Sequence, residues 1–424
     1  MIVVLVVVDS LRADHVGAYG GAAMTPTLDR LASEGALFET VWSCSPWTLP
    51  ALAGLLCGTY GHRVGLIHWQ QAWPAAPPTL FVRLGDEGFD VASFVFDPGY
   101  LFTGLGAARV RGRSSDDDDL FAFVSGWRGS KLFLFVHYWG THVPYVAAPM
   151  SAATWQELTE GVLQTLRAGA PLREKVRALY RHAVERFSEQ WLPRLLAALA
   201  AGPGLSDAVV AITADHGESW GERLPPDQHV EGVFDLHGNH LYEEALRVPL
   251  VLWAPAGIRP STRVRELVRT VDLAPTLRDL ALGPSALPSA DDREHDGRSL
   301  VPLLRGQATA PRTEAVAAGN LSLLEIACED PFPPPAATVW DRLALRTERL
   351  SWIWHTATDE RWAYDLAHDP GQSKPLSGST PELEAGWERL RAEAARARLA
   401  PVPAALRAEQ LARARGVQAT LRRR

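Results

Sequence analysis

Short runs of β-branched and other apolar residues alternate along the chain with longer stretches of helical periodicity. The first run, "MIVVLVVV" (1–8), is almost wholly apolar, as expected of a parallel strand buried on both faces. It leads into "TPTLDRLASEGAL", read as a helix with Thr25 at the N-cap and Pro26 at the first helical position. The pairing recurs. "PTLFVRLGDEG" and "FDVASFVF" read as helix and strand, and "KLFLFVHYW" and "DAVVAITADHGE" as buried strands ending in polar residues. "VPLVLWAP" and "TVDLAPTLRDLAL" read as strand and helix. In "REKVRALYRHAVERFSEQWLPRLLAALA" the helical period places Val176, Tyr180, Ala183, Phe187 and Trp191 on one face. This alternation predicts an α/β fold, a central and mostly parallel sheet sandwiched by helices, with ligands at the carboxyl ends of the strands.

The pattern changes after a polar loop at 284–297. "AVAAGNLSLLEIAC", "DRLALRTERLSWIWH" and "ERWAYDL" read as shorter strands of a small antiparallel sheet, and the Ala-, Arg-, Glu- and Leu-rich tail from about Thr380 reads as helix. Two units are therefore expected: a larger α/β domain over 1–310 and a smaller C-terminal α+β subdomain over 311–424 packed on it. The acidic run Asp116–Asp119 reads as a solvated helix start, because four adjacent carboxylates cannot all face one ion.

Apolar residues make up 47% of the 424 positions and charged residues 21%, ordinary for a soluble globular chain. The net charge of −7 gives no general attraction to nucleic acid or to an anionic membrane, so the expected partner is a small molecule. An anionic substrate would need a local attractor, most simply a metal ion. The N-terminal apolar run lacks a basic flank and a cleavage site and is too short to span a bilayer. Cys44, Cys57 and Cys328 are widely spaced and form no disulfide framework, so a cytoplasmic location is expected. Nothing in the sequence speaks to oligomeric state.

Chemistry concentrates at two strand ends. Asp9 directly follows "VVV", and Asp215-His216 directly follow "AVVAIT". Two acids and an imidazole meeting there would make a first shell for a divalent ion, although each motif alone would serve equally as a cap or turn. A third stretch, "SCSPWTLPALAGLLCG", offers Cys44, Thr48 and Cys57 as nucleophiles without choosing among them.

The segments "DSLRADHVGAYG", "TPTLDRLASEGALFE", "GTYGHRVG", "HVPY", "TADHGE" and "HGNHLYEEALRVPLVLWAPAG" follow one another in order. "VDLAPTLRDLA", "DGRSLVPLLRG" and "WAYDLAHDPGQ" continue the series over nearly the whole chain. The series resembles the sulfatase branch of the alkaline phosphatase superfamily. The resemblance implies an alkaline-phosphatase-like fold and a hydrolase or transferase acting on a small-molecule phosphate or sulfate ester. In formylglycine sulfatases the nucleophile stretch is Cys-x-Pro-Ser-Arg, with a Thr-Gly about six residues on. That spacing places Thr48 at the nucleophile, Pro50 at the proline and Cys57-Gly58 at the Thr-Gly. Cys44 falls four residues too early and Cys57 inside the following helix. By the same resemblance, Asp9, Thr48, Asp215 and His216 hold the metal. His142 is the general acid at the leaving group, and His237 meets the anion's oxygens or a second metal. Arg63, Asn239 and His240 fall at substrate-binding positions.

Departures from the family pattern bear on the chemistry. Threonine has one hydroxyl where the modified cysteine is a geminal diol, Leu52 replaces the family's Arg, and Ser10 replaces its second Asp. These make phosphate-ester cleavage through a covalent Thr48 intermediate the leading expectation. Sulfuric ester hydrolysis at the same site is the alternative, and a silent anion-binding member the second alternative. His216, in place of an oxygen ligand, favours zinc or manganese, with calcium and magnesium left open. Trp69, Trp73, Trp139 and Trp220 are candidates for contacting a sugar or aryl group.

Overall fold

The computed structural model describes residues 1–65, 78–95, 110–111, 117–146, 152–167, 170–222, 237–238, 240–283, 296–307, 314–319, 342–356 and 359–397. The strands of the larger sheet are β1 (Ile2–Val8), β2 (Ala36–Trp42), β3 (Asp90–Val95), β4 (Val110–Arg111), β5 (Leu132–Tyr138), β6 (Ala208–Thr213), β7 (Arg247–Val248), β8 (Leu250–Trp253) and β9 (Thr262–Arg269). They run in the order β4-β3-β5-β1-β6-β8-β2-β7, with β9 beside β2. From β4 through β6 every pairing is parallel. Beyond β6 the sheet turns antiparallel through β8 and β2, and then β9 lies parallel to β2.

The central strand β1 has all seven residues buried, which is why its sequence carries no polar alternation. The expected strands and helices of the parallel half are present. The pattern did not disclose β2 or β9. In β9 the exposed Arg263, Arg265 and Glu266 hide a strand whose other side buries Val264, Leu267 and Val268. The long helical stretch runs from Ala170 to Ala201 through a π-helical turn at Phe187–Trp191, and the five residues placed on one face are buried. The acidic run opens a helix, Asp118–Gly126, as expected, and Asp118 pairs with Arg194. Among the described residues no helix is long and apolar enough to cross a membrane.

The second sheet is antiparallel: β10 (Ala315–Gly319), β11 (Arg342–Arg346), β12 (Leu350–His355) and β13 (Glu360–Asp365), in that order. The helix Pro381–Arg396 packs on it. The Thr380 hydroxyl caps this helix by accepting from Leu383 N–H at 3.2 Å, and Gly386 lies against the Trp352 ring with no room for a side chain. This sheet shares its apolar clusters with Cys44, Tyr60 and Val271 on one side, and with Trp42, Leu241, Leu246 and Leu267 on the other. The loop 284–295, Cys328 and the tail beyond 397 lie outside the described residues.

Candidate metal centre and hydrolytic site

Strand register brings the acids together. Val7 of β1 pairs with His137 of β5 and with Thr213 of β6. Asp9 and Asp215 each follow two residues later, so the strand period puts His137, Asp9 and Asp215 on one face at adjacent carboxyl ends. One ligand atom from each lies within 4.8 Å of the other two, and all three side chains are buried. His137 has no place in the sequence-based ligand set. It sits inside an apolar strand, where a lone histidine reads as core.

The two carboxylates are differently engaged. Asp215 Oδ1 accepts from the backbone N–H of Ser10 at 3.2 Å and of His216 at 2.9 Å. Asp215 Oδ2 is buried with no hydrogen-bond donor and faces His216 Nε2 at 3.5 Å and His137 Nε2 at 3.6 Å. Asp9 Oδ1 accepts from Ser10 Oγ at 2.8 Å, and Asp9 Oδ2 lies 3.2 Å from His137 Nε2. Ser10 does this from the left-handed region, φ 60°, held by Tyr180, whose hydroxyl donates to Ser10 O at 2.8 Å. Burial alone would raise the Asp9 carboxyl. The facing His142, His137 and His216 outweigh it and hold the group well below the usual carboxylate range. For His137 burial acts downward, yet Asp215 and Asp9 push it up to about 9. A buried carboxylate oxygen lacking a donor, between imidazole nitrogens and a second acid, is what a divalent cation would complete. The residues present fit such an ion.

Thr48 opens the helix Thr48–Cys57, all of whose residues are buried. Its Oγ1 lies 3.4 Å from Asp9 Oδ2 and 3.3 Å from His216 Nε2. The structure thus gathers Asp9, Thr48, Asp215 and His216 around one point. At a helix N-terminus, negative charge developing on that oxygen is favoured. The two cysteines are elsewhere. Cys44 packs against Gly54, with its thiol 3.6 Å from Pro50 O, and burial pushes it up to about 12. Burial likewise pushes Cys57 up to about 12, so neither is a thiolate nucleophile at neutral pH.

Two histidines flank this group. His142 stacks on Trp139 at 4.0 Å, and its Nδ1 lies 2.7 Å from Val143 O. Burial pushes His142 down to about 4, and the contact with Val143 O occupies Nδ1. His237 has its ring 4.6 Å from His216 and 5.0 Å from His142, with Nδ1 3.0 Å from Glu218 Oε1. Burial lowers His237, but Glu218 more than offsets this and its pKa is raised.

The remaining expected positions separate from the centre. Arg63, expected at a substrate-binding position, is held in ion pairs by Glu393 and Asp296. His240 sets its ring 5.6 Å from Tyr242, which faces Tyr364 of the second sheet. Asn239, Trp69 and Trp73 lie outside the described residues. Trp220 is fully buried and donates to Tyr145 Oη at 3.0 Å, so it does not line an open pocket.

Comparison with known proteins agrees with this geometry. The model of the family described as "Sulfatase" matches residues 2–284, and that of "N-sulphoglucosamine sulphohydrolase, C-terminal" matches residues 231–396. The chain is 32% identical to the steryl-sulfatase of Mus musculus over 233 residues, 50% of this chain and 36% of that protein. It is 25% identical to the multifunctional alkaline phosphatase superfamily protein PehA of Trinickia caryophylli over 74% of this chain and 79% of that one. The solved structure of a 2-O GAG sulfatase superposes with a TM-score of 0.69 at 20% identity, covering 92% of this chain and 90% of the other. The chain thus spans little more than a third of its mouse relative.

Proposed function

The chain belongs to the sulfatase family, and from that premise we propose that it hydrolyses a sulfate ester of a small organic molecule at the centre around Thr48. The observation that carries this reading is the placement of Thr48 Oγ1 against Asp9 and His216, beside the donorless Asp215 oxygen. The names of the matching families and relatives support sulfate over phosphate. Asp9, Asp215, His137 and His216 would hold a divalent cation, with zinc or manganese favoured by the imidazoles. When bound, it would neutralise the anionic ester and acidify the Thr48 hydroxyl.

The chain's own groups do the rest. Thr48 Oγ1 attacks the central atom as the bond from that atom to the organic oxygen breaks, and the proton given up by the Thr48 hydroxyl reaches the leaving alcohol through His142 Nε2. His237 holds the anion's oxygens; His142 Nε2 then takes a proton from the water that attacks the central atom and returns it to Thr48 Oγ1 as the covalent ester bond breaks. That water must attack the central atom, since Thr48 has one hydroxyl and no aldehyde to reform. Attack of this kind is better suited to phosphorus, so Thr48 with Leu52 favours a second reading: phosphate-ester cleavage at the same centre.

Paired aryl sulfate and aryl phosphate substrates separate the two. Wild-type chain stripped by chelator and resupplied with zinc or manganese should turn over the sulfate faster. Thr48→Ala should lose about a thousandfold, while Thr48→Ser keeps measurable turnover. Faster phosphate turnover would select the second reading. Full activity in Thr48→Ala would defeat both.

A further inference from the structure

We propose that Glu218, the last residue of "TADHGE", is the positioning residue of the hydrolytic site, fixing the orientation of the His237 ring beside His216 and His142. This rests on the reading of His237 as an anion-binding group. Glu218 is fully buried. Its Oε1 meets His237 Nδ1 at 3.0 Å and Ser219 N–H at 3.3 Å, and its Oε2 meets Tyr145 Oη at 3.1 Å.

The direction of each proton in this network follows from which atoms can only donate. Trp220 Nε1 has a hydrogen and no lone pair to offer, so across its 3.0 Å contact the Tyr145 oxygen must accept. The Tyr145 hydrogen is then directed to Glu218 Oε2. The Ser219 amide likewise only donates, to Oε1. Both carboxylate oxygens therefore act as acceptors of groups that cannot reverse. With both oxygens accepting, the remaining contact is His237 Nδ1–H donating to Glu218 Oε1, which fixes a ring whose centroid lies 4.6 Å from that of His216.

The same carboxylate steadies the other flanking histidine. Tyr145 N–H donates to His142 O at 2.7 Å, so the hydroxyl that binds Glu218 and the backbone that shapes the His142 turn belong to one residue. Arg12 Nη1 donates to Glu218 O at 3.0 Å, and Glu218 N–H donates to Glu244 O at 3.1 Å, pinning the backbone that carries the carboxylate. One residue thus supports His237 directly and the His142 turn through Tyr145.

The test has two arms on the full chain. The first reads the ring nitrogens of His237 by 15N NMR, assigned by the signal lost in His237→Gln. Wild type should show a protonated Nδ1, and Glu218→Gln, which cannot accept from Tyr145 and His237 and Ser219 together, should alter that signal. An unprotonated Nδ1 in wild type overturns the proposal, and this arm needs no turnover. The second arm is a double-mutant cycle on the better of the two aryl esters. Glu218→Gln should lower kcat by about 10- to 100-fold with KM changed less than about threefold. In the His237→Gln background the same change should cost less than about twofold, because its target is gone. Losses that multiply would mean Glu218 acts independently of His237, and that too overturns the proposal. If neither ester is turned over, the functional reading fails while the NMR arm still decides the role of Glu218.

Discussion

Two of the buried charge clusters among the described residues repay comparison, one built of aspartates and histidines alone and one that adds arginines. Around Thr48, Asp9 and Asp215 face His137 and His216 and leave Asp215 Oδ2 without a donor. Beneath the second sheet, Glu393, Asp296 and Asp272 face His62, Arg63 and Arg269, and each carboxylate is matched. Glu393 Oε1 receives His62 Nε2 and Arg63 Nε, both at 2.7 Å. Asp296 receives Arg63 and the Tyr60 N–H. Asp272 Oδ1 receives Arg269 Nη2 and the Arg298 N–H at 2.8 Å each, and its Oδ2 receives the Arg269 N–H. Burial and charge alone do not distinguish a working centre from a fastening. The unfilled acceptor does.

The largest effect that would break the comparison is at Asp215. Asp215→Asn should lower turnover by about a thousandfold. Added zinc or manganese should raise the wild-type melting temperature through binding linkage and leave the variant unmoved. Equal metal-induced stabilisation of both proteins would remove the distinction between the clusters.

An intermediate effect is expected at Glu393. Glu393→Gln leaves buried His62 without its carboxylate and half-buried Arg63 with Asp296 alone, and should cost about 3 kcal/mol in urea unfolding. Turnover per folded molecule should stay within about threefold. A variant as stable as wild type would show that this cluster is no fastening.

The smallest and sharpest effect is in acid. Burial raises the Glu393 carboxyl, but His62 and Arg63 more than reverse this and set it at about 2, against an ordinary value of 4.5. A depressed carboxylate contributes stability that is complete above the ordinary value and is lost as pH falls through about 2. The urea midpoints of wild type and Glu393→Gln should therefore converge between pH 4.5 and pH 2. A gap that stays constant over that interval would assign the clamp to something other than the Glu393 charge.

The sequence disclosed the parallel half of the sheet because strands buried on both faces are written as unbroken apolar runs, and β1 is the plainest case. It disclosed Asp9 and Asp215 because a polar residue closing such a run stands at a carboxyl end. His137 was concealed by the same rule, since it lies inside its run and only the register with Val7 shows that it shares a face with the acids. The ion pairs of Arg63 were not legible because its partner Glu393 lies 330 residues further on. Strand β9 was hidden by its charged outer face.

The Glu393 clamp also sets a schedule. His62 and Glu393 are 331 positions apart, and a ribosome adds about 5–20 residues per second. The turn next to the nucleophile helix therefore waits tens of seconds, roughly, for its partner to be made, well after His137, Asp215 and His216 have emerged. A nascent chain halted short of the helix Pro381–Arg396 already holds every residue of the centre but lacks Glu393. In biosynthesis, the His62–Glu393 contact can form only after every residue of the centre has been made.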